Sequence, residues 1–321
     1  MIFEKAILKM YKSALIKRYD PDGTLFYFGK EDFPGLLADD FSFMGNQGQM
    51  LNGHFYYRGE KRYDKLIVFD HGMGCGHVAY MREIELLTTR GYTVFSYDHT
   101  GTRSSEGENI VGFSQSLADL NFCIDAIRSL AEYKDADISV IGHSWGGFST
   151  MNIPAFHPEI THVVALAGFI SPKQIQSQVF SGLLSLYKKA VWRDEYSRLE
   201  KYAEADARVS LADVSTKALI IHSNDDPVVK IDMHFGELKK TFADNSRISF
   251  IELCGRGHNP NYTDDAKAYE DACISDLKAK KKRGELDTPE AKAKFRASYD
   301  WRRMTEQDAL LWDRIVEFLE S

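Results

Sequence analysis

From Lys65 onward, short apolar runs and helical stretches take turns along the chain, and few folds satisfy that rhythm. The runs are LIVFD, TVFSYD, ISVIGH, HVVALAG, KALIIHS and RISFIEL; residues 78–89, 116–131 and 146–156, with another stretch near 232–241, read as helices between them. A strand that returns to its own sheet through a helix crosses over right-handed and lands parallel, so both faces of the sheet are covered. The expected architecture is therefore α/β, a mostly parallel central sheet flanked by helices. Ahead of it, FSFMGN and QMLNGHFYY around Asn46-Gln47-Gly48 read as a hairpin.

Two segments break the rhythm. Residues 170–213 carry no strand signal; apolar QVFSGLLSLY leads into charged WRDEYSRLEKYAEADAR, which predicts an inserted helical cap. Residues 259–303 are highly charged and include Lys280-Lys281-Lys282-Arg283, read as a solvated face of a helical insertion. The chain divides into an N-terminal helix and lead-in (1–30), the first part of the core (31–169), the cap (170–213), the second part of the core (214–258), the charged insertion (259–303) and a C-terminal core helix (304–321). In MIFEKAILKMYKSALIKRY, Lys and Glu interrupt every apolar stretch, so the start reads as a helix packed on the domain and not as a signal peptide.

The chemistry concentrates at strand ends. Ser139-Val140-Ile141-Gly142-His143-Ser144-Trp145-Gly146-Gly147 runs a strand into Gly-x-Ser-x-Gly with a helix directly behind it. A serine in such a sharp turn holds its Oγ clear of the backbone, and small neighbours let the chain approach closely. Strand LIVFD ends in His71-Gly72-Met73-Gly74; the N–H groups of Met73 and Trp145 are placed to meet an oxyanion. After KALIIHS come Asp225 and Asp226. Asp226, directly before Pro227, is taken as the acid that orients a histidine, and Asp225 as a solvated turn residue. His258 follows the last strand through a loop with Gly255 and Gly257, which gives the order Ser144, Asp226, His258. His143, Phe180 and Leu184 are placed in the substrate pocket.

GHSWGG, the HGMG loop, SYDHTGTRSSEG, HSNDDPVV and GRGH, in that order from about Met50 to His258, resemble the α/β-hydrolase family, above all its serine-aminopeptidase-like and monoacylglycerol-lipase-like branch. The resemblance implies a Ser144–Asp226–His258 triad with Met73 and Trp145 as the oxyanion hole. There are departures. Where the family reads D-x-R-G-x-G-x-S, this chain has Asp98-His99-Thr100-Gly101-Thr102-Arg103-Ser104-Ser105, with Thr100 and Arg103 replacing an Arg and a Gly; Ser223 stands where glycine often precedes the acid.

These residues predict a serine hydrolase acting on a small or medium acyl or aromatic carboxylic ester through an acyl-enzyme. The runner-up is amide or peptide cleavage, which needs acidic cap residues for a substrate ammonium. Asp194, Glu195, Glu200 and Glu204 are available but read as a solvated helix face, while Val179, Phe180, Leu183, Leu184, Leu186 and Tyr187 favour an acyl pocket. A non-catalytic receptor on the same fold is the third reading, disfavoured by the complete set of three residues. Dehalogenase and epoxide-hydrolase relatives carry Asp at the elbow, against Ser144.

A net charge of −7 over 321 residues argues against nucleic acid. Cys75, Cys123, Cys254 and Cys273 lack metal-site or disulfide spacing, so each reads as a packed thiol and the compartment as the cytoplasm. No metal or cofactor is expected, nor stable membrane insertion. The expected partner is a small-molecule ester or amide, and a homodimer is compatible with the sequence.

Overall fold

The computed structural model describes residues 2–74 and 76–321, apart from the side chains of Ile2 and Leu183; Cys75 and the Leu183 side chain of the expected acyl pocket thus lie outside the described residues. Among the described residues eight strands form one sheet: β1 (Leu37–Met44), β2 (Met50–Tyr57), β3 (Lys65–Asp70), β4 (Thr93–Tyr97), β5 (Asp137–His143), β6 (His162–Leu166), β7 (Lys217–Ser223) and β8 (Ile248–Leu253). Their order across the sheet is β1-β2-β4-β3-β5-β6-β7-β8. The hairpin β1–β2 and the pair β2–β4 are antiparallel, and every later pair is parallel.

Side chains explain why the sheet sits in the middle. Every residue of β3 is buried, as a strand covered on both faces requires. Leu66 and Val68 join one apolar core, and Ile67 and Phe69 the core on the opposite face, the period of two that a strand imposes. The C-terminal helix Ala309–Leu319 docks Leu311, Trp312, Ile315 and Leu319 into the second core, at the spacing of one helix face. A third, smaller core forms under the charged insertion from Cys273, Leu277, Leu286, Phe295 and Met304.

Residues 170–213 are helical, as the sequence predicts, with helices Pro172–Val179, Lys188–Leu199 and Ala207–Ser210. Their apolar residues go elsewhere than expected. Phe180 is buried edge-on against Tyr11 of the N-terminal helix Ile2–Leu15, with ring centroids 5.4 Å apart. Glu195, read as solvated, is only 1% exposed. It accepts hydrogen bonds from the Ser114 N–H at 2.7 Å, the Ser114 hydroxyl and Gln176, and so holds the start of helix Gln115–Arg128. The insertion's basic run behaves as read, with Lys280 paired to Asp276 and Lys281 to Asp22. Cys123 and Cys273 are buried free thiols, whereas Cys254 is exposed just beyond β8 and accepts from Asn224. No helix among the described residues is long and apolar enough to cross a membrane.

Beneath the carboxyl ends of β3 and β4 lies a buried charge cluster. His99 has Asp70 Oδ1 3.1 Å from Nε2, an ion-pair contact without the alignment of a hydrogen bond, and Asp119 Oδ2 3.3 Å from Nδ1. Asp70 also accepts from the Tyr97 and Ser149 hydroxyls, and Asp119 from Thr100 N and Oγ1, each at 2.8 Å. Burial alone would lower the His99 pKa; the two carboxylates outweigh it and raise it to about 9. A base whose folded pKa lies above its unfolded value stabilises the fold fully below the unfolded pKa, near 6.5, and loses that contribution as pH rises through the folded one. Melting followed from pH 6 to 10 is therefore expected to fall by roughly 3–6 °C more in the wild type than in His99→Gln. Parallel curves for the two proteins would show that His99 carries no charge in the fold.

Candidate active site

Ser144 directly follows β5 and caps the start of helix Trp145–Asn152, with φ 57° and ψ −109°. A non-glycine residue in this region is strained, and a firmly built turn is needed to keep it there. The neighbours show how tightly it is built. A Cβ on Gly146 would lie 2.0 Å from the Asp70 carbonyl oxygen, and one on Gly142 2.3 Å from that of Gly146. Both positions therefore exclude any side chain, which is the steric reason for Gly-x-Ser-x-Gly.

His258 stands over the serine. Its Nε2 is 2.9 Å from Ser144 Oγ, and its Nδ1 is 2.8 Å from Asp226 Oδ2. Asp226 is buried, and its other oxygen accepts from the N–H groups of Val228 and Val229 at 2.8 and 3.0 Å. His222 Nε2 lies 3.2 Å from Oδ2 while bonded to the Val229 carbonyl at 2.8 Å. Burial pushes the Asp226 carboxyl up, but the bonds from His222 and His258 more than offset it and hold the acid well below the usual carboxylate range. A carboxylate fixed in its charged form can orient an imidazole, and an imidazole so oriented can take a proton from a hydroxyl 2.9 Å away.

Asp225 is more than a solvated turn residue. Its Oδ1 accepts from Gly257 N–H at 2.9 Å and from Ser223 Oγ at 2.5 Å, while Ser223 Oγ accepts from Arg256 N–H at 3.0 Å. Ser223, the departure from glycine, thus staples the Asp226 loop to the His258 loop. Gly257, at φ 56°, takes the left-handed turn just before the histidine.

Behind the serine, His143 Nε2 bonds the His258 carbonyl at 2.7 Å, and its Nδ1 lies 2.8 Å from the Tyr80 hydroxyl, which accepts from Gly72 N–H at 3.0 Å. Burial, with the neighbouring His258 adding to it, pushes the His143 pKa down to about 3. Neutral His143 then donates through Nε2 and accepts at Nδ1. Met73 follows Gly72 on the cleft wall, and Trp145 N–H lies in the first helical turn, where no carbonyl of its own helix can reach it.

The cleft over Ser144 has a volume of about 240 Å³, and its walls are not those expected. His143, Ser144, His258 and Met73 line it, but Phe180 and Leu184 do not; Phe180 packs on the N-terminal helix and Leu184 is 39% exposed. The walls come instead from Leu25, Phe26, Tyr27 and Phe28, from the insertion, through Glu270, Ile274 and Trp301, and from Met304 directly after it. The aromatic density of Leu25-Phe26-Tyr27-Phe28, between Gly23 and Gly29, was the available signal for the first wall. Arg103, at φ 44° where the family has glycine, places its guanidinium 5.2 Å from the Tyr27 ring and so backs this wall.

Residues 61–204 match the family described as serine aminopeptidase, S33. A monoglyceride lipase of Mus musculus is 32% identical over 132 residues, which span 40% of this chain and 40% of that lipase. An esterase of Pyrococcus furiosus superposes with a TM-score of 0.59 at 19% identity, over 82% of this chain and 98% of its own. An acylaminoacyl peptidase of Pyrococcus horikoshii gives a TM-score of 0.54 at 17% identity, over 70% and 37%. At these identities the two solved structures speak for the fold. With its sheet order and its strand–Ser144–helix elbow the chain has the α/β-hydrolase fold, and over part of its length it is similar to the serine-aminopeptidase and monoglyceride-lipase branch of that fold.

Proposed function

We propose that the protein hydrolyses carboxylic esters with Ser144 as nucleophile. The observation that carries the reading is the unbroken chain from Ser144 Oγ through His258 to Asp226, at 2.9 and 2.8 Å, beneath a cleft walled by aromatic and aliphatic side chains. As Oγ attacks the ester carbonyl, its proton passes to His258 Nε2, and Asp226 stabilises the imidazolium. The N–H groups of Met73 and Trp145 receive the charge that develops on the carbonyl oxygen. When the tetrahedral intermediate collapses, the C–O bond to the alcohol breaks and His258 returns the proton to the departing oxygen. Water, deprotonated by His258, then attacks the acyl-serine, releasing the acid and restoring Ser144.

Labelling by a fluorophosphonate, mapped to Ser144 by peptide mass, together with turnover of a panel of p-nitrophenyl esters and aminoacyl anilides, tests the reading. Labelling with ester turnover supports it; anilides cleaved in preference would move the chain to amide hydrolysis. An unlabelled Ser144 would leave a ligand-binding protein on the same fold. The panel also tests the walls. Ile274→Ala is expected to shift relative kcat/KM toward bulkier esters by roughly 10-fold, while Leu184→Ser leaves the ranking unchanged. The opposite pattern would return the pocket to the cap.

A further inference from the structure

Among the residues lining the cleft, Glu270 brings a carboxyl group, and ester hydrolysis has no use for it. It sits on helix Asp264–Lys282, one turn before Ile274, so both face the cleft from one side of the helix. Asn259 Nδ2 donates to both of its oxygens, at 2.8 and 3.1 Å, and Asn259 directly follows His258. The acid is thus held beside the reacting pair. Among the described residues no lysine or arginine forms a salt bridge with it, and the nearby Lys267 pairs with Asp271. Burial raises its carboxyl above the ordinary value, against the hydrogen bond from Asn259. A carboxylate has about four lone-pair directions, and Asn259 occupies two. Glu270 is half-buried and lines the same cleft as Leu25, Phe26, Ile274 and Met304, so a substrate seated there displaces its water, and the carboxyl then needs a donor from the substrate to complete its hydrogen bonding.

We propose that Glu270 is a specificity-determining residue that accepts a hydrogen bond from a hydroxyl or ammonium group on the substrate, away from the ester carbonyl. The substrate class is then an ester with a polar donor on an otherwise aromatic or aliphatic body. This rests on ester hydrolysis at Ser144, and it assigns part of the insertion a role in selection.

The test uses the full chain and three matched p-nitrophenyl esters: 3-phenylpropanoate, its para-hydroxyl analogue and its para-aminomethyl analogue. Wild type is expected to favour one or both donor esters by roughly 10-fold or more in kcat/KM. Glu270→Leu erases that preference, while Glu270→Gln, which still accepts through its amide oxygen, keeps the hydroxyl preference and loses the ammonium one. The arm that responds identifies the donor. No preference in the wild type, an unchanged preference in Glu270→Leu, or an equal fall for all three esters overturns the assignment, the last because it marks Glu270 as a mere support for Asn259. Binding of the same esters to Ser144→Ala, followed by tryptophan fluorescence from the Trp301-lined cleft, separates the two proposals. A donor-dependent ranking there without wild-type turnover would sink ester hydrolysis alone; turnover without a ranking would sink only the role of Glu270.

Discussion

Ser144→Ala is expected to lower ester turnover by ~10⁴-fold or more while leaving thermal unfolding almost where it was. The change removes one oxygen from a half-buried position on the cleft surface, so no apolar contact is lost and no closed cavity opens. His258 keeps its bond to Asp226 and loses only its Oγ partner. The unusual backbone angles at Ser144 are imposed by the strand–helix junction and not by the hydroxyl, so alanine inherits them. Steady-state rates on the preferred ester, with a melting curve for each protein, check both halves. A variant that retained most of its rate would remove Ser144 from the chemistry.

Asp226→Asn should cost ~10³-fold in kcat/KM or more, and Asp225→Asn far less. The neighbours differ in what they hold. Asp226 is buried, faces two histidines and two backbone N–H groups, and its charge is what an imidazolium at position 258 needs. An amide there presents an N–H toward one ring or the other and disfavours the tautomer that leaves Nε2 free to accept. Asp225 is exposed and uses one oxygen to accept from Gly257 N–H, a bond that an asparagine carbonyl can replace. Kinetics of the two variants side by side decide it; the reverse ranking would shift the acid by one position.

The residues of the proposed triad were readable in the sequence because each depends on a short local pattern. Gly142 and Gly146 announce a turn that excludes side chains, and Asp226 and His258 follow strands whose β-branched runs are unmistakable. The cleft walls were not readable, because they depend on which apolar faces find each other. QVFSGLLSLY had an apolar partner other than the cleft, the N-terminal helix, and Phe180 went to Tyr11. The insertion looked like a solvated helix because its apolar residues are few and spaced a turn apart; Cys273 and Leu277 face its own small core, while Ile274 faces the cleft. Glu195 was hidden for a related reason. An acid in a charged stretch reads as solvated until the helix start it holds, 81 residues away, is brought beside it.

The two cleft walls are tied to each other by contacts such as Lys292 Nζ to the Asp22 carbonyl, 270 residues apart in sequence, and Arg296 to the Gly23 carbonyl. Such contacts close the longest loops in the chain, and in folding that entropy is spent before the contacts reward it. The proposed triad, by contrast, is closed over shorter separations, 32 residues from Asp226 to His258 and 114 from Ser144 to His258. The enclosure of the pocket is therefore expected to form after the hydrolytic centre, and to loosen before it under denaturant. At sub-denaturing urea, discrimination between esters should fade while fluorophosphonate reactivity persists, so that the protein passes through a selective, then an indiscriminate, then an inactive state.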